Sequence, residues 1–70
     1  MHPEELANII RTRRKDLGIT QEQMVELSGV GSRTIKEIEV SGGNPRLETI
    51  NNLIEVLGLE MKLILKTNEF

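Results

Sequence analysis

The chain has 70 residues with nine basic and eleven acidic side chains, a net charge of −2, no cysteine and a single aromatic residue, Phe70. That length allows one domain with a modest core, for which oligomerisation is an expected source of further stability. Disulfides and thiolate metal sites are excluded, and the core has to be built from Leu, Ile, Val and Met. No apolar run approaches the ~20 residues that span a bilayer, and no basic leader with an apolar segment marks secretion, so a cytoplasmic location is expected.

Residues 3–17 read as the first helix. Pro3 suits its first turn, Glu4 and Glu5 favour its positive end, and Gly18 stops it. Leu6, Ile10 and Leu17 are spaced for one buried stripe with Ile9 at its edge. Arg13 falls on that stripe, where its stem can lie across the core while its head reaches water. Arg11, Arg13, Arg14 and Lys15 form a basic cluster. For Arg13 and Lys15, a solvated helix end near the negative dipole terminus explains the charge as well as a role toward DNA does.

The stretch from Thr20 to Glu39 reads as two short helices joined by a tight turn. Thr20 and Gln23 make a capping box, and Ile19 and Met24 have the spacing of a hydrophobic staple. Gly29 supplies the positive φ that ends the first of these helices, and Val30 plugs the corner. The second starts at Gly31 or Ser32. Met24, Leu27, Ile35 and Ile38 are the apolar positions, and Ser32, Arg33, Lys36, Glu37 and Val40 follow a helical spacing on the other side.

Ser41–Asn44 reads as a pliable loop. Asn44 is expected to cap a fourth helix, with Pro45 at its first position and Leu47, Ile50, Leu53, Ile54 and Leu57 as a broad core stripe ending at Gly58. From Leu59 onward the pattern changes. In Glu60–Lys66 the residues Met61, Leu63 and Leu65 alternate with Lys62, Ile64 and Lys66, which is a strand period. A lone strand leaves its backbone groups unpaired, and the same strand from a second copy satisfies them antiparallel across a two-fold axis. The expected fold is therefore mainly α, with four helices plus one C-terminal β-strand that pairs across a homodimer through Met61, Leu63, Ile64 and Leu65. The expected division is residues 1–58 for the helical domain and 59–70 for the dimerisation strand and tail.

Residues 20–39 resemble the helix-turn-helix of the lambda-repressor/Cro family. The likeness rests on Gln21, Gly29-Val30, Thr34-Ile35 and Ile38-Glu39, together with Asn44-Pro45 and Leu47-Glu48-Thr49-Ile50, and it covers roughly residues 5–59. The sequence departs from the family at Val25, where Ala is usual and the two helices crowd, and at Arg13, where relatives often carry Leu or Val. The resemblance implies an Arg14–Glu39 bridge locking the first helix to the third. It also implies binding of double-stranded DNA at a palindromic operator. The Leu-Gly-Leu-Glu-Met-Lys-Leu tail looks like that of HipB-type antitoxins, which implies an autoregulatory repressor with a HipA-type kinase toxin as partner.

On that resemblance, Thr20 and Gln21 would contact phosphate, Ser32, Arg33, Lys36 and Glu37 would face the bases, and Thr34 would belong to the DNA-binding set. Arg33 suits a bidentate contact to guanine, and Lys36 reaches guanine or phosphate. Glu37 can accept from a cytosine amino group or hold Arg33 four residues earlier. Arg46 and the backbone of the Ser41–Asn44 loop suit phosphate, although Lys36 and Arg46 also read as ordinary solvated charge. Catalysis has no support. His2 has no acidic or thiol cluster at ligand spacing, Ser28, Ser32 and Ser41 lack a base, and Gly42-Gly43 lacks the flanking strand and Lys of a phosphate loop. The chain reads as a non-enzyme with no metal or cofactor. Besides an antitoxin repressor, a small phage-like or chromosomal regulator without a toxin fits the sequence. A protein-interaction module that has lost DNA binding fits the negative net charge.

Overall fold

Local chemistry sets the helix boundaries. The computed structural model describes residues 2–66 and contains α1 (Pro3–Asp16), α2 (Gln21–Ser28), α3 (Ser32–Ser41) and α4 (Leu47–Val56). Residues 67–70, with Phe70 and the end of the expected dimerisation segment, lie outside the described residues. Pro3 opens α1, and the Glu5 carboxylate accepts from the His2 backbone N–H at 3.1 Å. α1 and α4 end in the same way. Gly18 and Gly58 donate their N–H groups to the carbonyls of Lys15 and Glu55, and Ile19 and Leu59 reach those of Arg14 and Ile54. These are Schellman turns, which satisfy carbonyls that the helix itself leaves without partners. The capping box of α2 is complete: Thr20 Oγ1 accepts from Gln23 N–H at 3.0 Å and Gln23 Oε1 accepts from Thr20 N–H at 2.8 Å. Gly29 closes α2 in the left-handed region at φ +76°, and Gly31 is the N-cap of α3.

The helices close on a small aliphatic core. Ile10 of α1, Met24 of α2, Val30 of the corner, Ile35 and Ile38 of α3, and Leu53 and Leu57 at the end of α4 are buried together. Leu6, Ile19, Val25, Val56 and Leu59 pack at its rim. α1 packs on α3, and α2 packs on both α3 and α4. The turn between α2 and α3 is therefore held from behind by α1 and α4, and the outer side of α3 is left uncovered.

Several expectations need correction. Leu27 is 62% exposed, because α2 turns Met24, Val25 and Ser28 inward instead; the Ser28 hydroxyl donates to the Met24 carbonyl at 2.6 Å. Leu17 is exposed as the C-cap residue beyond α1, where the chain has already turned away from the stripe. Asn44 does not cap α4. The helix begins at Leu47 with Arg46 as N-cap and no side-chain cap. Pro45 thus lies in the extended connection ahead of the helix and not in its first turn. Leu47 then sits in a first turn that overshoots the core and is 63% exposed. Ser41 belongs to α3 and not to the loop. Leu59–Lys66 forms no strand: among the described residues the structure is entirely helix, turn and irregular chain, and a single copy offers this segment no neighbouring edge.

A buried ion pair sets the angle of α3. Arg14 Nε and Nη2 donate to the two carboxylate oxygens of Glu39 at 2.6 and 2.9 Å, a bidentate fork. Arg14 Nη1 also donates to the Ile19 carbonyl at 2.7 Å, and Gln21 Nε2 donates to Glu39 Oε1 at 3.1 Å. Arg11 Nη1 reaches the Glu39 backbone carbonyl at 2.6 Å. α1, the start of α2 and the last turn of α3 thus meet at one carboxylate. Burial by itself pushes the Glu39 carboxyl up, but hydrogen bonds from Arg14 and Gln21 and the charges of Arg14 and Arg11 outweigh it, and its pKa lies below the ordinary value. The same hydrogen bond raises Arg14.

A Cβ at Gly42, where φ is +85°, would run into the Pro3 backbone, with Pro3 Cα at 2.6 Å. Gly42→Ala is expected to destabilise the domain by about 3 kcal/mol, whereas Gly31→Ala, with nothing within 4 Å of its Cβ, costs less than about 1 kcal/mol in urea denaturation. Glu39→Ala strands a buried guanidinium and costs about 3 kcal/mol or more, while Arg14→Met with Glu39→Leu recovers most of that loss. Because the Glu39 pKa is depressed on folding, its contribution is present above the ordinary carboxylate pKa and is lost as pH falls through the folded value. Thermal melts between pH 6 and about pH 3 are expected to fall less steeply in the double variant than in the parent.

Candidate nucleic-acid interface

The outer side of α3 is a row of displayed polar side chains. Ser32, Arg33, Lys36 and Glu37 are exposed, and Val40 continues the row at 81% exposure. Ile35 and Ile38 bury the opposite side, so helical geometry leaves those five positions pointing away from the core. Arg33 and Glu37 approach at 3.8 Å, four residues apart and both largely in solvent. Such a pair is weak and easily exchanged, so it orients the guanidinium without holding it.

Thr34 stands apart from this row. It is half-buried and lines a polar cleft of about 320 Å³ with Glu37, Ile38, Gly43, Asn44, Pro45, Arg46 and Thr49. The cleft runs between α3 and the loop into α4, and it brings Thr34, Glu37 and Arg46 to one surface. Thr20 is exposed but its hydroxyl is engaged in the capping box, and Gln21 is half-buried with its amide on Glu39. The amide of Gln21 is therefore committed inside the protein, although its position at the head of α2 keeps the helix N-terminus beside the last turn of α3.

The basic cluster of α1 is largely spent on the fold. Arg11 and Arg14 converge on Glu39, and Arg13 Nε donates to the Leu57 carbonyl at 2.9 Å. Leu57 is the C-cap of α4, where carbonyls lack helical partners and the dipole is negative, so Arg13 staples α1 to the end of α4. Arg13 is accordingly half-buried and bonded to the protein, and not a freely solvated helix end. Lys15, Arg33, Lys36 and Arg46 are the exposed cations of the helical region, and the last three lie on α3 or on the loop that follows it. Sequence reasoning missed Thr49, whose position in the first turn of α4 puts it in the cleft, and it missed the role of Arg11.

The tail residues have a different surrounding. Met61 is 40% exposed and lies against a groove lined by Leu6, Ile9, Ile50, Ile54 and Leu59. Leu63, Ile64 and Leu65 are 99, 85 and 92% exposed and make no part of the core. No helix among the described residues is long and apolar enough to cross a membrane.

Comparison with known proteins gives this geometry a family. A helix-turn-helix family model matches residues 10–64. Over 53 residues the chain is 42% identical to an uncharacterized HTH-type transcriptional regulator of Haemophilus influenzae, covering 76% of this chain and 54% of that protein. Over 55 residues it is 36% identical to an uncharacterized HTH-type transcriptional regulator of Methanothermobacter thermautotrophicus, covering 79% of this chain and 80% of that one. The matched region thus spans about half the length of the bacterial relative. With its capped α2, left-handed Gly29 corner and outward-facing α3, the chain belongs to the helix-turn-helix family of the Cro/lambda-repressor type.

Proposed function

We propose that this chain is a sequence-specific DNA-binding transcriptional repressor that acts as a homodimer on a palindromic duplex. The observation that carries the reading is the outer side of α3: Ser32, Arg33, Lys36 and Glu37 are displayed together on a helix whose inner side is fixed by Ile35, Ile38 and the Arg14–Glu39 pair. A rigid helix of that width fits the major groove, where Arg33 and Lys36 can read guanine and Glu37 either accepts from cytosine or steadies Arg33. Thr20 and Gln21 at the head of α2, and Arg46 and Thr34 along the cleft, are the proposed phosphate side of the interface. The names of the two relatives support a regulatory role. Dimerisation through Met61, Leu63, Ile64 and Leu65 is supported by their exposure on a segment with strand periodicity. A two-fold pair sets two copies of α3 about 34 Å apart, one turn of the duplex. The narrower reading, an autoregulatory antitoxin that also holds a HipA-type kinase toxin, is supported by the HipB-type likeness of the tail. Co-purification with such a kinase is its test; an operator binder that retains no kinase is a free-standing regulator.

Selection from random duplexes, followed by titration at several salt concentrations, tests the main reading. Operator affinity is expected to fall steeply with salt. Arg33→Ala is expected to cost about 1–3 kcal/mol and to relax preference at one base position, while Arg46→Ala weakens all sequences alike and lowers the salt slope by about one. A chain that enriches no duplex and shows no salt-dependent binding is a protein-interaction module and not a repressor.

A further inference from the structure

Two tails paired across a two-fold axis can align in several ways, and their side-chain chemistry selects one. The segment 60–66 is two-sided. Glu60 Oε1 and Lys62 Nζ approach at 3.9 Å although they are two residues apart, so they share one side of the chain. Met61 and Leu63 together line a second recess against Leu47 and Asn51. Met61 lies in the groove of Leu6, Ile9, Ile50, Ile54 and Leu59, which Glu60 and Lys62 edge, and the alternation of the segment puts Leu63 and Leu65 on the Met61 side. The other side carries Glu60, Lys62, Ile64 and Lys66.

In an antiparallel pair, directly opposed residues project to the same side. Two copies related by a two-fold axis must then place one residue opposite itself, and that residue defines the register. Centring on Lys62 opposes two like charges. Centring on Ile64 opposes Lys62 to Lys66 twice. Like charges in directly opposed positions destabilise a ribbon. Centring on Met61 opposes Leu65 to Leu57, which is buried at the end of α4 and has no strand to offer. Centring on Glu60 or Lys66 also opposes like charges, and centring on Leu65 sets Leu63 against Thr67 and Met61 against Glu69, apolar against polar. Centring on Leu63 uses every position from 60 to 66. It opposes Glu60 to Lys66 twice, Lys62 to Ile64 twice, Met61 to Leu65 twice, and Leu63 to itself.

We infer that a second copy of this chain pairs with the tail in the register centred on Leu63. The ribbon is tied at both ends by Glu60 of each copy against Lys66 of the other. Its apolar side, Met61, Leu63 and Leu65 from both chains, lies over the α1/α4 grooves of the two copies. The charge pattern of the segment is complementary to its own reverse in this alignment, which is what identifies the occupant as a second copy. The inference rests on the homodimer proposed above and adds its register and the groove it covers.

The chain has no native cysteine, so single-cysteine variants report the alignment cleanly. A residue opposed to itself has a Cα–Cα distance of about 4.5–5.5 Å, inside the disulfide range, whereas its neighbours meet their own copies at about 8 Å. Sedimentation of the full chain without DNA is run first, followed by mild oxidation of Lys62→Cys, Leu63→Cys and Ile64→Cys. The expected result is a dimer in sedimentation, with cross-linking at Leu63→Cys at least tenfold faster than at the other two. Glu60→Lys and Lys66→Glu are each expected to weaken dimerisation about tenfold, and the two together to restore it to within about twofold. Preferred cross-linking at position 62 or 64, or a double charge reversal no better than either single one, overturns the register while leaving the dimer. A dimer in which none of the three cross-links overturns the inference. A monomer overturns the homodimer reading and the register with it.

Discussion

The fork between Arg14 and Glu39 is the contact on which the orientation of the exposed helix depends. Both groups are nearly withdrawn from water, at 11 and 4% side-chain exposure, and a pair in that position is not by itself a strong source of stability. Its value lies in geometry. A planar guanidinium meets a planar carboxylate in one arrangement, and the remaining donors of the site are aimed at the same residue: Gln21 at the carboxylate, Arg11 at the backbone carbonyl. Aliphatic side chains of similar volume would hold α3 against α1 as firmly but would tolerate rotation and sliding. A helix that has to present Arg33 and Lys36 in a fixed attitude gains from a contact that tolerates neither.

The same economy explains where the positive charge went. A core of seven buried aliphatic residues with no aromatic among them leaves the helices with limited means of mutual fixation. α1 makes up the difference with arginines. Arg11 and Arg14 bind the end of α3, Arg14 also binds the connection into α2, and Arg13 binds the end of α4. Each acceptor is either a carboxylate or a carbonyl, and those of Glu39 and Leu57 lie at helix C-termini. A cluster that looks from its composition like a phosphate-binding patch is in this fold a set of staples.

Local chemistry was readable in advance and long-range assignment was not. The Thr20–Gln23 box, the Gly29 corner, the Val30 plug and the inward Ile35 and Ile38 all depend on residues within one or two turns, and such patterns survive folding unchanged. Leu17, Leu27 and Leu47 show the limit. Each has an apolar side chain at an acceptable helical spacing, but whether it is covered depends on where its own helix begins or ends and on which face meets a neighbour, which spacing does not encode. Arg11 and Arg13 escaped for another reason: their acceptors are backbone carbonyls, which every residue carries and which no sequence pattern distinguishes. The Arg14–Glu39 pairing itself came from family resemblance and not from spacing, since 25 residues of chain separate the two. The tail marks a further limit. Alternation can be read from one chain, but a ladder needs a second edge, and none lies within the described residues.

In the proposed repressor these features depend on one another. With the α1 arginines committed to the fold, one copy offers DNA little more than Arg33, Lys36, Arg46 and the head of α2, and Glu37 stands among them. Few phosphate contacts mean weak attraction of one copy to arbitrary duplex. That is a favourable starting point for discrimination, because competition from non-specific sites is what a regulator has to overcome. It also means that one copy alone binds even the right sequence poorly. Linking two copies makes the second contact intramolecular and raises affinity by a factor of about 10²–10⁴ without any new contact to the bases. The sparse basic face of α3 and the apolar tail are then two parts of one arrangement, in which recognition is left to the helix and affinity is supplied by the pairing of chains.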